Sequence, residues 1–217
     1  MTDLENISLA LRRKDYSRAV LDESDLPIDP LKLFSQWFDE ALSAKLTEPN
    51  AMSVATADIH GRPSSRILLI KEFDQRGFTW FTNYQSRKGI ELDGNPYASL
   101  LFHWSELERQ VRIEGSVERV SAAESDRYFE SRPPNSQIGA IASRQSQPIA
   151  NREELDQALE YVSEQYANYP TRPQHWGGYR LIPDRIEFWQ GRPSRMHDRI
   201  LYNRSSGGTW STQRLQP

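Results

Sequence analysis

The stretch "RPSRMHDRIL", residues 192–201, sets Arg195, His197 and Arg199 at alternate positions around Asp198. In an extended strand alternate residues share one face. Two cations and an imidazole on that face repel unless an anion or a π-rich surface lies against them. Asp198 points the other way, although a salt bridge from it to Arg192 or Arg185 is a fair structural alternative. Trp189, six residues before Arg195, offers a stacking surface, so the set suits a planar phosphorylated ligand.

Three further groups could do similar chemistry. In "SSRILLIKEF", Arg66 and Lys71 interrupt a run apolar enough for a central strand, and their odd spacing puts them on opposite faces. One of them then needs a buried or interfacial anion, unless the strand is an edge carrying a protective lysine. Ser86, Arg87 and Lys88 stand where a strand gives way to a helix, a place where amides and the helix dipole favour a phosphate. Solvated charges on a surface turn explain them equally well. Tyr128, Arg132 and Ser136 recur at a spacing of four, and a Ser136 that caps the next helix could converge with Arg132 on a second anion. A plain N-cap serine is the simpler account.

The composition limits the alternatives. With a formal net charge of −3, a general affinity for nucleic acid or anionic membrane is disfavoured, and any anion site must be a local arginine cluster. No cysteine is present, which excludes disulfides, thiolate catalysis and cysteine-ligated metal. His60, His103, His175 and His197 lie far apart without the spacing of a zinc motif, so no metal is expected. Neither an apolar signal core nor a membrane-length apolar run occurs, which reads as a cytoplasmic protein.

The elements that must position these groups alternate between two periods. Residues 1–28 are polar and read as an N-terminal arm or lid, and residues 29–217 as a single domain. From Asp29, "DPLKLFSQWFDEALSAKL" carries Leu33, Phe34, Trp37, Phe38, Ala41 and Leu42 at helical spacing, with Asp29 as N-cap and Pro30 at the first helical position. From Ala51 the period falls to two. "AMSVATA", "SSRILLIKEF" and "FTWFTN", separated by "DIHGRP" and "DQRG", predict an antiparallel meander. Strands resume in "YASLLFHW", "RQVRIEGSVERVS", "GGYRLIPDRIEFWQG", "RILYNR" and "TWSTQRL", the last two joined at "SSGG". Helices are predicted after caps at Ser121 and Asn151. A mainly β antiparallel barrel with peripheral helices satisfies this pattern, since closure removes exposed edges.

The ordered segments "RILLIK", "FTNYQSRKG", "LERQVRIEG", "YFESRPPNSQIGAIASRQS", "HWGGYRL", "IEFWQG" and "RMHDR" span nearly the whole chain. In these the sequence resembles the pyridoxine (pyridoxamine) 5'-phosphate oxidase family. The resemblance implies an FMN-binding split β-barrel homodimer with FMN in a cleft shared by both subunits. It assigns FMN contacts to Arg66, Ile67, Leu68, Leu69, Ile70 and Lys71, to Phe81, Thr82, Arg87 and Lys88, and to Gln110, Gln145, Ser146, Trp189 and Arg199. It assigns the substrate phosphate to Lys71, Tyr128, Arg132 and Ser136, and the pyridine ring to Arg195 and His197, the two residues taken as catalytic. The implied reaction moves hydride from the substrate C4' to flavin N5, after which dioxygen takes the electrons and yields hydrogen peroxide, with ammonia also released from the amine. His197 is the near-neutral titrating group available for proton handling. Phe81 stands where the family often has tyrosine, and "DYSRAVL" supplies Arg18, Ala19 and Val20 where paired glycines are common. Another flavin split-barrel oxidoreductase should lack the "YFESRP" and "RMHDR" segments, and a non-catalytic vitamin B6 phosphate carrier would not need "SRKG", "ERQ" and "RQS".

Overall fold

A computed structural model describes residues 15–166 and 170–217. Helix α1 (Pro30–Ser43) begins as its spacing predicts, the Asp29 carboxylate accepting from the Leu31 amide and Pro30 occupying the first position. It buries Leu33, Phe34, Trp37 and Ala41, while Leu42 turns off this stripe and is 51% exposed. Phe34 meets the edges of Phe73, Phe78 and Phe102 at 4.9, 5.0 and 5.1 Å, which makes α1 the plug of an aromatic core.

Among the described residues nine antiparallel strands form one sheet: β1 (Ala51–Ala57), β2 (Pro63–Leu69), β3 (Glu72–Asp74), β4 (Gly77–Asn83), β5 (Tyr97–Trp104), β6 (Arg109–Arg119), β7 (Trp176–Gln190), β8 (Asp198–Arg204) and β9 (Trp210–Arg214). The order is β2-β1-β5-β6-β7-β4-β3, with β8 on the far half of β7 and β9 on β8. The expected meander therefore holds only within the hairpins β1–β2 and β3–β4, because β5, β6 and β7 lie between β1 and β4.

Why the sheet curls follows from the chain itself. β2 and β3 occupy opposite ends of the order, yet only Ile70 and Lys71 separate them. The three Cα–Cα steps from Leu69 to Glu72 span about 11 Å at most, so the two ends must meet. Their amides form the seam: Ile70 N–H donates to the Asn50 carbonyl and Lys71 N–H to the Thr79 carbonyl, both at 2.9 Å. The result is a curled, mainly antiparallel half-barrel. β2 is an edge strand and not the central one its apolar run suggested, with Ile67 65% exposed; Lys71 lies beyond its last residue.

β7 spans 15 residues and pairs first with β4, then with β8, while β6 runs along its other side. A bulge at Glu114/Gly115 faces Pro183 and absorbs the missing proline donor. A Cβ on Gly115 would stand 2.0 Å from the Ile182 carbonyl oxygen, so glycine is required there. Helices α2 (Arg87–Gly94), α3 (Ala122–Ser131), α4 (Pro134–Ala142) and α5 (Arg152–Gln165) lie outside the sheet. Ser121 and Glu124 form a reciprocal capping box on α3, and Asn151 caps α5, both as expected.

Of the arm expected over residues 1–28, residues 1–14 lie outside the described ones, Arg13 among them. The remainder is held by Glu108, which accepts from the Ser17 and Arg18 amides at 2.9 and 3.1 Å, and by the C-terminal hairpin. Leu21 N–H donates to Asp198 Oδ2 at 3.1 Å, the Arg214 guanidinium holds Glu23 and the Leu21 carbonyl, and Tyr202 donates to the Pro27 carbonyl at 2.9 Å. No helix among the described residues is long and apolar enough to cross a membrane.

Candidate active site

The barrel seam opens into a cavity of about 630 Å³. Leu68, Leu69 and Lys71 enter it from the β2 edge, Phe81 and Thr82 from β4, Tyr128 and Arg132 from α3 and its cap, and Ser136 from α4. Gln145 closes one side and Trp176, the first residue of β7, the other. Sequence positions separated by more than a hundred residues thus converge because β4 pairs with the start of β7, Phe81 opposite Gly178 and Thr82 opposite Gly177.

One wall is aromatic. The Phe81 and Tyr128 rings stack at 3.9 Å, and Trp176 stacks on Phe81 at 5.8 Å. A tyrosine hydroxyl is not needed at 81 for this contact. The Arg132 guanidinium carbon lies 4.7 Å from the centre of the Trp176 ring. Gln137 fixes the backbone behind it, donating to the Arg132 carbonyl at 2.8 Å. Arg132 lines the cavity, and its Nη1 is buried with no hydrogen-bond partner among the described residues. Ser136 is not the helix cap imagined from the sequence. Pro133 holds that place, and Ser136 sits at the third position of α4, its hydroxyl left free of capping and lining the cavity.

A second, cationic wall stands behind Thr82 and Gln145 of the lining; Lys88, Arg66 and Arg87 are not themselves in it. Ser86 caps α2, accepting from the Gly89 amide, and its neighbour Lys88 turns inward to 5% exposure. A Cβ at Gly89 would meet the Tyr84 carbonyl oxygen at 2.0 Å, so only glycine lets α2 start this close to the end of β4. Lys88 Nζ donates to Gln145 Oε1 at 2.7 Å, Ser86 Oγ at 3.0 Å and Thr82 Oγ1 at 3.1 Å. All three acceptors are neutral. Burial, with the charge of Arg66, pushes the Lys88 pKa down to about 8, against the pull of Glu91. Arg66 folds back onto β1, donating to Thr56 Oγ1 at 2.7 Å, and Arg87 Nε donates to Glu91 Oε1 at 2.9 Å. Asn83 Nδ2 donates to the Ser143 carbonyl at 3.2 Å, tying the end of α4 to β4 and bringing Gln145 over Lys88. Ser146 follows in the left-handed region, φ 73°. Exposed Ile67 and buried Ile70 complete the edge segment.

Five of the expected site residues fall elsewhere. Gln110, Trp189 and Arg199 form a row across β6, β7 and β8, Gln110 opposite Trp189 and Trp189 opposite Arg199. His197 packs on Trp189 at 4.6 Å, and Tyr16 of the arm meets both rings edge-on at 5.7 Å. Arg195 and His197 do not alternate along a strand with Arg199. β8 begins only at Asp198, and Arg195 closes a short helical turn with φ 62°, which reorients its side chain relative to an extended chain. The predicted repulsion is relieved in a second way, since Arg199 gives Nε to Glu187 Oε1 at 2.9 Å and Nη2 to Oε2 at 3.1 Å. Asp198 pairs with Arg192 at 3.5 Å and Arg214 at 2.7 Å, whereas Arg185 pairs with Glu114. His197 Nδ1 accepts from the Arg192 amide at 3.1 Å, which leaves the proton of the neutral ring on Nε2. Burial, then Arg195, lowers its pKa below the usual histidine value, with Asp198 partly opposing.

Glu91, Thr56, Ser64 and Glu187 escaped the sequence reading. Only the Arg87–Glu91 spacing of four, a helical ion pair, was visible in advance.

Residues 38–166 match the model of the pyridoxamine 5'-phosphate oxidase family. The chain belongs to that family. Residues 176–217 match the pyridoxine 5'-phosphate oxidase C-terminal dimerisation region. A pyridoxine/pyridoxamine 5'-phosphate oxidase of Janthinobacterium sp. (strain Marseille) is 61% identical over 211 residues, covering 97% of this chain and 100% of that protein. Its counterpart in Burkholderia lata is 59% identical over 212 residues, 97% of this chain and 99% of that one. Among solved structures, PhzG from Burkholderia lata 383, in complex with tetrahydrophenazine-1-carboxylic acid, is 34% identical with a TM-score of 0.86, covering 91% of this chain and 98% of that one. An FMN-binding protein from Nostoc punctiforme, related to pyridoxamine 5'-phosphate oxidase, shares the fold at 16% identity and a TM-score of 0.72, over 88% of this chain and all of that one. As a member of the pyridoxamine 5'-phosphate oxidase family the chain is an oxidoreductase flavoprotein with the split-barrel architecture.

Proposed function

We propose that this protein oxidises pyridoxine 5'-phosphate and pyridoxamine 5'-phosphate to pyridoxal 5'-phosphate, passing two electrons to dioxygen to give hydrogen peroxide, and releasing ammonia from the amine after water attacks the imine. The observation that carries this reading is Arg132, whose buried Nη1 has no hydrogen-bond partner among the described residues, lining one cavity with Lys71, Tyr128 and Ser136. A buried guanidinium donor without an acceptor costs stability unless an anion completes it. Two cations and two hydroxyls around one space fit a phosphate, whose oxygens accept several charge-assisted bonds at once.

FMN is the cofactor, and the cationic wall fits it. Lys88, buried among neutral acceptors beside Arg66 and Arg87, supplies the positive charge an FMN phosphate requires, with Thr82, Gln145 and the backbone of residues 66–71 and 146 alongside. When bound, FMN supplies a two-electron acceptor for the hydride leaving the substrate C4'. The stacked Phe81–Tyr128–Trp176 wall excludes water and shapes a slot for flat rings.

The second cluster completes the site from another copy of the chain. Trp176 lines the cavity and Trp189 lies 13 residues further along β7, roughly 40 Å of strand by the usual rise. One chain does not bring both ends of β7 to one ligand; in a homodimer, the Gln110–Trp189–Arg199 row and the Arg195–His197 turn of one protomer face the cavity of its partner. There Arg195 and His197 lie against the pyridine ring. His197, neutral and protonated on Nε2, donates a hydrogen bond and orients the ring; it does not take the proton at that atom. The arm, with Tyr16 on Trp189 and His197, covers this cluster.

The likeness to PhzG favours one rival, a phosphate-free aromatic carboxylic acid as substrate. Anaerobic mixing of the FMN-loaded protein with each phosphorylated vitamer, with unphosphorylated pyridoxine and with tetrahydrophenazine-1-carboxylic acid, while following the oxidised flavin band, separates them. Bleaching by the phosphorylated vitamers, with recovery in air, is expected. Bleaching by the carboxylic acid alone refutes the proposal.

A further inference from the structure

Glu91 stands at the centre of the cationic wall and, like Arg66, Arg87 and Lys88, lies behind the cavity lining. Its side chain is 5% exposed, on the inner face of α2. Donors from three elements converge on its two oxygens. Oε1 accepts from Arg87 Nε at 2.9 Å, within α2. Oε2 accepts from Thr56 Oγ1 on β1, from Ser64 Oγ on β2 at 2.6 Å, and from Arg66 Nη2 on β2 at 3.4 Å. The hydroxyls are relays as well as donors, since Arg66 itself donates to Thr56 Oγ1 and to Ser64 Oγ. Both arginines are thereby fixed through one carboxylate. Burial alone would push the Glu91 pKa up, but the hydrogen bonds from Ser64, Thr56 and Arg87 and the charge of Arg66 outweigh it and hold it below the ordinary value.

We propose that Glu91 is the positioning residue of the FMN phosphate site, preorganising Arg66 and Arg87 before the cofactor arrives. This rests on the reading of Arg66, Arg87 and Lys88 as phosphate ligands. Without the carboxylate, two guanidiniums and an ammonium crowd one wall, and Arg66 and Arg87 lose the acceptor that sets their direction; ordering them again is then charged to FMN binding. A glutamine cannot substitute. Its single carbonyl oxygen can serve either Arg87 or Arg66, and although the Thr56 and Ser64 hydroxyls can turn to accept from its amide, that amide faces the other guanidinium donor to donor.

The test compares FMN with riboflavin, which lacks only the phosphate, by quenching of flavin fluorescence on titration into apoprotein. The unaltered protein is expected to prefer FMN about a hundredfold or more, as several charge-assisted bonds imply. Glu91→Gln should lower FMN affinity about tenfold while riboflavin affinity stays within about twofold. A variant that weakens both flavins equally, or neither, overturns the proposal, because a residue that merely seats α2 would not single out the phosphate. If the unaltered protein itself fails to distinguish the two flavins, the phosphate reading of Arg66 and Arg87 has failed, and the role of Glu91 with it. Should Glu91→Gln not fold, Ser64→Ala on the β2 edge removes one relay and should cut the FMN-to-riboflavin ratio about threefold. An unchanged ratio in that variant refutes the proposal.

Discussion

Replacing Lys88 by methionine should stabilise the apoprotein and cripple cofactor binding in the same molecule. The fall of the Lys88 pKa from 10.5 to about 8 means that holding the ammonium in place costs the folded apoprotein about 3 kcal/mol at neutral pH. The sign follows from proton binding: between pH 8 and 10.5 the unfolded chain holds a proton the folded one has lost, so stability rises with pH across that window and the cost is fully present below it. Lys88→Met removes the cost but strips a donor from Gln145 Oε1, Ser86 Oγ and Thr82 Oγ1, a loss of about 1–2 kcal/mol, since Ser86 keeps its bond to the Asn83 carbonyl and Gln145 reaches water. A net gain of about 1–2 kcal/mol should raise Tm by about 3–6 °C for a chain of this size. The same change deletes a charge-assisted bond to phosphate, so the FMN Kd should rise about ten- to a hundredfold. Thermal melts of FMN-free protein at pH 7 and 10, with flavin titration at pH 7, read every term. The variant's gain should shrink at the higher pH. A Lys88→Met apoprotein that melts lower than the unaltered one and binds FMN as tightly would show Lys88 to be a structural cation, and the cationic wall would lose its assigned ligand.

Arg132→Ala should raise the KM for pyridoxine 5'-phosphate by about one to two decades with kcat little changed, as loss of a charge-assisted contact predicts; an unchanged KM in steady-state assays would remove Arg132 from the phosphate clamp. Arg214 holds Glu23, Asp198 and the Leu21 carbonyl, and it draws the Glu23 pKa down to about 2. Arg214→Ala should therefore loosen the arm, raising the tryptic cleavage rate after Arg18 about two- to fivefold, in keeping with the modest worth of exposed ion pairs. Equal rates would mean that the arm is kept in place without Arg214, by the Glu108 carboxylate on the Ser17 and Arg18 amides and by the Tyr202–Pro27 bond.

Much of the local structure was legible in the residues. Caps at Asp29, Ser121 and Asn151 and the alternation of β1 declared themselves because their causes, a side-chain oxygen beside a free amide or a period of two, lie within a few residues. Ordered motifs also carried the family and the FMN-binding split barrel. Where the reading went astray, residue types alone did not carry the cause, which was a turn's backbone, a proline start to a helix, or a partner elsewhere in the chain. Arg195, His197 and Arg199 alternate in sequence, but a helical turn with positive φ at Ser194 and Arg195 breaks the strand, and Glu187, twelve residues before Arg199, takes its charge. Ser136 looked like a cap because the proline before α4 gave no side chain to rival it; the fold uses Pro133 for that position and sends Ser136 to the cavity.

The sequence by itself determined which segments are strands and helices, that charge is gathered in a few arginine-rich places, and which family the chain joins. Only the tertiary structure decided that the sheet closes at Ile70 and Lys71, that Lys71 and Arg132 share one cavity while Trp189 lies at the far end of β7, and that one buried carboxylate governs two arginines. Local propensities act over a turn or a pair of residues. Strand order, and with it every long-range encounter at the site, is set by how the whole apolar surface is buried at once.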